Sequence, residues 1–103
     1  MYNKISVLIS KQSPPTTFMF CVYILKSLVD DGLYIGKTSD LKRRIKEHNE
    51  GFSQSTKLRK PFVLVYCEVY KSSKDASVRE IKLKNFKNSY KELKKRIENS
   101  LKV

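Results

Sequence analysis

Two runs rich in β-branched and aromatic residues, "FCVYILKSL" (Phe20 to Leu28) and "LYIGKT" (Leu33 to Thr38), flank the short stretch "VDDG". Such runs read as strands, and Asp31-Gly32 supplies residue types that tolerate positive φ in a tight turn. The pair is therefore an antiparallel hairpin, and no other feature constrains the chain as strongly. A hairpin loop of even length sets residues of odd index sum opposite one another, while side chains alternate between faces. Tyr23 and Tyr34 then point to one face. Gly36 shares that face and leaves it open to close approach.

A helix follows the hairpin. Thr38 or Ser39 is placed to cap it, and Asp40 suits its positive end. The spacing predicts a helix from about Asp40 to Asn49 with its stop at Gly51. Its inward stripe is Leu41, Arg44, Ile45 and His48, while Lys42, Arg43, Lys46 and Glu47 fall elsewhere on the wheel. "GFSQSTKLRKP" reads as a polar, basic loop. "PFVLVYCEVY" (Pro61 to Tyr70) reads as a third strand, apolar on both faces and so covered on both sides. Ser72 or Ser73 caps a helix to about Lys87, with Ala76, Glu80, Leu83 and Lys87 on one stripe. A last helix, "SYKELKKRIENSL", carries Tyr90, Leu93, Ile97 and Leu101 on its apolar side. The expected fold class is α/β (α+β): a small three-stranded antiparallel sheet flanked by about three helices. Pro14-Pro15 interrupts any regular element. Residues 1–18 are accordingly expected as an appendage, flexible or added as an edge strand through Ile5, Val7 and Ile9, and residues 19–103 as the domain.

At 103 residues the chain is one small domain. Its 22 Lys+Arg against 10 Asp+Glu, a net charge of +12, point to a polyanionic partner, nucleic acid before an anionic surface. Two cysteines, Cys21 and Cys67, make no disulfide framework, and with the single histidine, His48, they make no zinc site. They read as reduced thiols of an intracellular, cytoplasmic protein. No apolar run approaches the length of a membrane span, and "MYNKISVLIS" lacks the features of a signal peptide, so no membrane partner is expected.

Three polar side chains fall where core residues belong: Arg44, His48 and Glu80. A lone buried charge is costly unless it is paired or bound. Each has an ordinary reading, Arg44 snorkelling to solvent, His48 satisfied in the core, Glu80 paired with Arg44. Set together beside two tyrosines and a glycine on one face, they read as a site. Here the sequence resembles the GIY-YIG nucleases. "CVYI" resembles the first motif, with Cys21-Val22-Tyr23 in place of Gly-Ile-Tyr, and Tyr34-Ile35-Gly36 is the second motif complete. The resemblance covers about Phe20 to Phe86 and is closest to the small stand-alone, single-domain members. It implies Tyr23 and Tyr34 as catalytic tyrosines, Arg44 as the catalytic arginine and His48 one turn later. It also implies Lys37 after the motif's glycine, and Glu80, within "DASVREIKLKNF", as the metal-binding glutamate. A final asparagine found in several members has Asn85 and Asn88 as candidates.

Those residue types suit phosphodiester hydrolysis, which needs an activated water, a neutralised phosphate and help for the leaving group. A tyrosine can take the water's proton once a lysine such as Lys37, or a metal, lowers its reference pKa of about 10. Either tyrosine fits that role. Arg44 can hold the phosphate with two parallel hydrogen bonds. Glu80 as sole carboxylate suits Mg²⁺ (or Mn²⁺), which keeps most of its waters and takes phosphate oxygens. His48 can orient the water or accept a proton. Gly36 allows close approach, and the basic loop (Lys57, Arg59, Lys60) and the last helix (Lys91, Lys94, Lys95, Arg96) can hold the backbone without reading sequence. The expected function is a metal-dependent DNA endonuclease, structure-directed or weakly sequence-specific, as in repair or recombination. RNA stays open as a substrate, and a targeting protein partner is unknown. The alternatives are a nucleic-acid-binding module of the same fold without turnover, and an interaction domain docking an acidic protein.

Overall fold

The structure, a computed structural model, describes residues 19–103. The expectation for residues 1–18 lies outside the described residues. The elements in chain order are β1 (Phe20–Ser27), β2 (Leu33–Thr38), α1 (Leu41–Asn49), β3 (Phe62–Tyr70), α2 (Ser73–Asn85) and α3 (Lys87–Arg96). The strands form one antiparallel sheet in the order β2-β1-β3. The expected three-stranded sheet with three helices is what the chain adopts.

β1 is the central strand, and that decides where the core lies. Cys21, Val22, Tyr23, Ile24 and Leu25 are all within 1% of complete burial. Its odd-numbered side chains, with Leu64 and Phe62 of β3, meet Leu41 and Ile45 of α1. Its even-numbered side chains, Val22 and Ile24, meet Ala76 and Leu83 of α2 and Leu93 and Ile97. The sheet is thus covered by α1 on one face and by α2 with α3 on the other. β3 is covered on both sides as expected, with Leu64, Cys67 and Val69 packed on the α1 face and Val65, Tyr66 and Tyr70 on the other. It is also an edge strand of the sheet, and so is half-buried beyond Phe62. An extra residue, Val65, bulges β3 opposite the Ile24/Leu25 step.

The hairpin turns with Asp31 at φ 59°, and Ser27 Oγ accepts from Val29 N and Asp30 N at 3.1 and 3.2 Å. The N-cap of α1 is Asp40, whose carboxylate accepts from Arg43 N at 3.1 Å. Thr38, expected as a cap, instead accepts from Asp40 N at 3.0 Å and fixes the turn before the helix. Gly51 (φ 79°) ends α1, with Phe52 N donating to Glu47 O and Gly51 N to His48 O. This pairing satisfies the last carbonyls of the helix. Ser72 caps α2. α2 stops at Asn85, two residues before the expected Lys87. A single extended residue, Phe86, joins it to α3. Glu68 of β3 braces α2 by accepting from Arg79 Nε at 2.9 Å and from Tyr66 and Tyr70. Among the described residues no helix is long and apolar enough to cross a membrane.

Candidate active site

The α1 face of the sheet holds a line of buried polar groups. Tyr23 is 1% exposed, and its hydroxyl lies 2.9 Å from His48 Nε2. The other ring nitrogen, Nδ1, lies 2.8 Å from Thr56 Oγ1 in the loop after α1, and His48 and Thr56 are fully buried. Thr56 Oγ1 donates to Ser53 O at 3.5 Å, which leaves its lone pairs to accept the His48 Nδ1 proton. His48 Nε2 is then the acceptor for the Tyr23 hydroxyl. All the hydrogen bonds of this chain run one way, from Tyr23 through His48 and Thr56 to a backbone carbonyl. Burial first, and then the nearby Arg44 charge, hold the His48 pKa below its ordinary value. The ring is therefore neutral at neutral pH.

Tyr34 stands half-buried at the margin, its ring 4.8 Å from His48 in an edge arrangement and 6.3 Å from Tyr23. Arg44 lies beside these rings and donates from Nη1 to Glu47 Oε1 at 3.1 Å. Burial pushes the Tyr23 phenol up to about 12, while hydrogen bonding to Arg44 pulls it the other way. Gly36 is the cross-strand partner of Tyr23, and a Cβ there would collide with the Tyr23 ring and hydroxyl. The open space expected at Gly36 for a ligand is filled by Tyr23 itself. The glycine lets that ring lie flat over β2 and reach His48.

The tyrosines, Arg44 and His48 come together as expected. Lys37 does not join them. It alternates onto the opposite face, where its ammonium donates to Ser77 Oγ at 2.6 Å and Ser73 Oγ at 3.3 Å. Lys94 and Lys95 sit on α3, also across the sheet, with Lys94 over the Tyr90 ring and Lys95 near Glu92. Arg59 is clasped by Asp30 at 2.7 Å and lies over Phe62, so it ties the loop to the hairpin. Lys57 and Lys60 are exposed beside the site. Glu80 projects from α2, pairs with Lys84 at 3.1 Å rather than with Arg44, and its charge adds to the upward push on Tyr23.

Residues 19–97 match the family model described as the GIY-YIG catalytic domain. The chain belongs to the GIY-YIG family. The UPF0213 protein SH2523 of Staphylococcus haemolyticus is 42% identical to it over 71 residues, 68% of this chain and 85% of that protein. A UPF0213 protein of Staphylococcus aureus is 39% identical over 66 residues, 63% of this chain and 79% of that one. Among solved structures, the solution NMR structure of the UPF0213 protein BH0048 from Bacillus halodurans is similar. It is 36% identical with a TM-score of 0.47, over 73% of this chain and 80% of that one.

In this GIY-YIG domain no cluster of three His, Cys, Asp or Glu side chains forms a metal cage among the described residues. The donor chemistry fits a hydrated hard cation shared with a phosphate. Glu80 is a partly buried carboxylate, its side chain 20% exposed, whose neighbour Lys84 is an exposed and displaceable partner. Sequence reasoning missed Thr56, Ser53 and Glu47. Glu47 carries a readable signal, since it stands three residues after Arg44 on one helix. Thr56 carries none, because only the tertiary fold brings its loop back onto α1.

Proposed function

We propose that the protein is a metal-dependent endonuclease that hydrolyses DNA phosphodiester bonds by direct attack of water. The observation that carries this reading is the one-way hydrogen-bond chain Tyr23–His48–Thr56, with Tyr34 and Arg44 beside it. A water that enters between Tyr34 and Arg44 and reaches the otherwise enclosed Tyr23 hydroxyl gives its proton to the tyrosine oxygen as the tyrosine proton passes to His48 Nε2. No free phenolate is needed, which suits a phenol whose pKa burial has raised to about 12. Thr56 accepts from Nδ1 throughout and stabilises the imidazolium that forms. The new bond joins the water oxygen to phosphorus, and the bond from phosphorus to the leaving oxygen breaks. Arg44 donates to the non-bridging oxygens as charge grows on them. Tyr34, half-buried at the margin of the site, orients the attacking water. Glu80 would hold Mg²⁺ with most of its waters; when bound, the ion neutralises the phosphate and the departing oxygen.

Lys57 and Lys60, and Arg43 and Lys46 on the outer side of α1, supply backbone contacts on the side of the site. The test is nicking of plasmid, branched and single-stranded DNA with Mg²⁺, with Mn²⁺ and with EDTA. Metal-dependent nicking that disappears in Tyr23→Phe supports the reading. DNA binding without nicking under every metal condition replaces it with the non-catalytic binding module.

A further inference from the structure

The loop between α1 and β3 is held firmly yet presents two large apolar side chains to solvent. Its start is fixed by the turn at Gly51 and its middle by the His48–Thr56 bond, with Lys57 N donating to Ser53 O at 3.0 Å and Arg59 N to Thr56 O at 2.9 Å. Its end is fixed by the Arg59–Asp30 pair, by Ser27 Oγ donating to Arg59 O at 2.6 Å, and by Asn49, whose side chain bonds both Phe62 N and Phe62 O. Even so, Phe52 is 73% exposed and Leu58 is 87% exposed. A loop held this firmly fixes where its side chains stand, so their exposure is a property of the surface it builds.

The surroundings say what would cover that surface. Lys60 Nζ lies within 3.2 Å of where a Gly51 side chain would begin, and Lys57 Cβ within 3.7 Å. Both lysines therefore crowd the residue next to Phe52, and Leu58 follows Lys57 directly. An aromatic and an aliphatic side chain beside the exposed lysines Lys57 and Lys60 match a polyanion whose interior is made of stacked rings. An acidic protein would also satisfy the lysines, but the net charge of +12 and the match to the GIY-YIG catalytic domain favour nucleic acid.

We propose that Phe52 and Leu58 form a wedge that contacts unpaired or unstacked bases, so that the preferred substrate is nucleic acid with a local distortion rather than perfect duplex. This rests on the nuclease reading and deepens it. The phosphates on either side of the distortion lie on Lys57 and Lys60, and the exposed base stacks on Phe52. Thr56, two residues from Leu58, is the partner of His48, so the same loop that senses the distortion supports the candidate catalytic chain.

The test measures binding in EDTA, so that it does not depend on cleavage. Equilibrium affinity is compared for a perfect duplex and for the same duplex with a single-base bulge carrying 2-aminopurine, whose fluorescence reports stacking. The wild-type protein is expected to prefer the bulge by about tenfold or more and to quench the probe. Phe52→Ala should bring that ratio close to one while perfect-duplex affinity and melting temperature stay unchanged, and Phe52→Trp should preserve it. Leu58→Ala should lower the ratio less. An unchanged ratio in Phe52→Ala, or no preference in the wild type, overturns the wedge and leaves the nuclease reading standing. A ratio that behaves as expected in a protein that never cleaves DNA supports the wedge and removes the nuclease.

Discussion

The Tyr23 hydroxyl and His48 Nε2 stand 2.9 Å apart with both side chains closed off from solvent. The hydroxyl carries the proton, and the imidazole nitrogen can take it. Burial keeps both neutral, raising the phenol and lowering the imidazole. A neutral pair can be buried without the desolvation cost of an ion pair, and it can still relay a proton when a water arrives.

Arg44 and Arg43 are adjacent, so the helix sets them about 100° apart. Arg44 lies beside the rings with its side chain 30% exposed, while Arg43 is 64% exposed. Arg44→Ala is expected to lower the single-turnover cleavage rate by on the order of a hundredfold or more. Arg44→Lys should recover only part of it, because the two-pronged geometry is lost. Arg43→Ala should weaken DNA binding and lower the salt slope by about one unit at most. The reverse ranking would mean that the helix presents a different side to the phosphate.

Glu80→Gln keeps the size of the side chain and removes its charge. Stimulation of cleavage by Mg²⁺ is expected to vanish, while DNA affinity in EDTA stays level or rises, since a carboxylate near phosphate repels it. Isothermal titration and cleavage assays across a Mg²⁺ series measure the two effects separately. Full Mg²⁺ stimulation in this variant would remove Glu80 from the site.

Thr56→Val preserves shape and leaves the buried His48 Nδ1–H without an acceptor. A loss of about 1–3 kcal/mol in denaturant unfolding is expected, as for other orphaned buried donors. A fall in cleavage rate should accompany it, and Thr56→Ser should restore both. Rescue of stability without rescue of rate would restrict Thr56 to holding the loop.

His48 is the single histidine, and its pKa in the folded protein lies below the unfolded value of 6.5. The unfolded chain therefore takes up a proton before the folded one does as pH falls. The stability that His48 contributes is complete above 6.5 and is lost as pH falls below it toward the folded pKa. Melting temperature should drop as the pH falls from neutrality through 6.5 and below, a range above the window of Asp30, whose bond to Arg59 holds it at about 2. His48→Gln, though less stable overall, should flatten that drop. A wild-type profile flat over this range would mean that the imidazole gains a proton without penalty.

The hairpin parity that put Tyr23 and Tyr34 on one face was legible because it depends only on local alternation, and the register bears it out. The stripe of α1 was legible for the same reason, with Leu41 and His48 buried. Lys37 was misplaced by that same alternation. It is odd-numbered where Tyr34 and Gly36 are even, so it had to leave the face of the tyrosines, although its nearness in sequence suggested otherwise. The two-sided apolar pattern of β3 was legible because both of its faces meet the core, whereas its place at the edge of the sheet was not, since strand order is set by tertiary pairing. The partners of Arg59 and His48 lie in Asp30 and Thr56, across loops whose approach no local pattern encodes.

The position of β1 in the middle of the sheet has a consequence for how the domain comes into being. β1 precedes both strands that flank it, so during synthesis it can pair with β2 and receive α1 while its other edge waits for β3. A nascent chain halted before Phe62 would present an open strand edge, the kind that invites pairing with another chain. It would also lack the Asn49–Phe62 bonds that close the loop carrying Thr56. The loop that carries Thr56 is therefore anchored at its far end only once the last strand arrives.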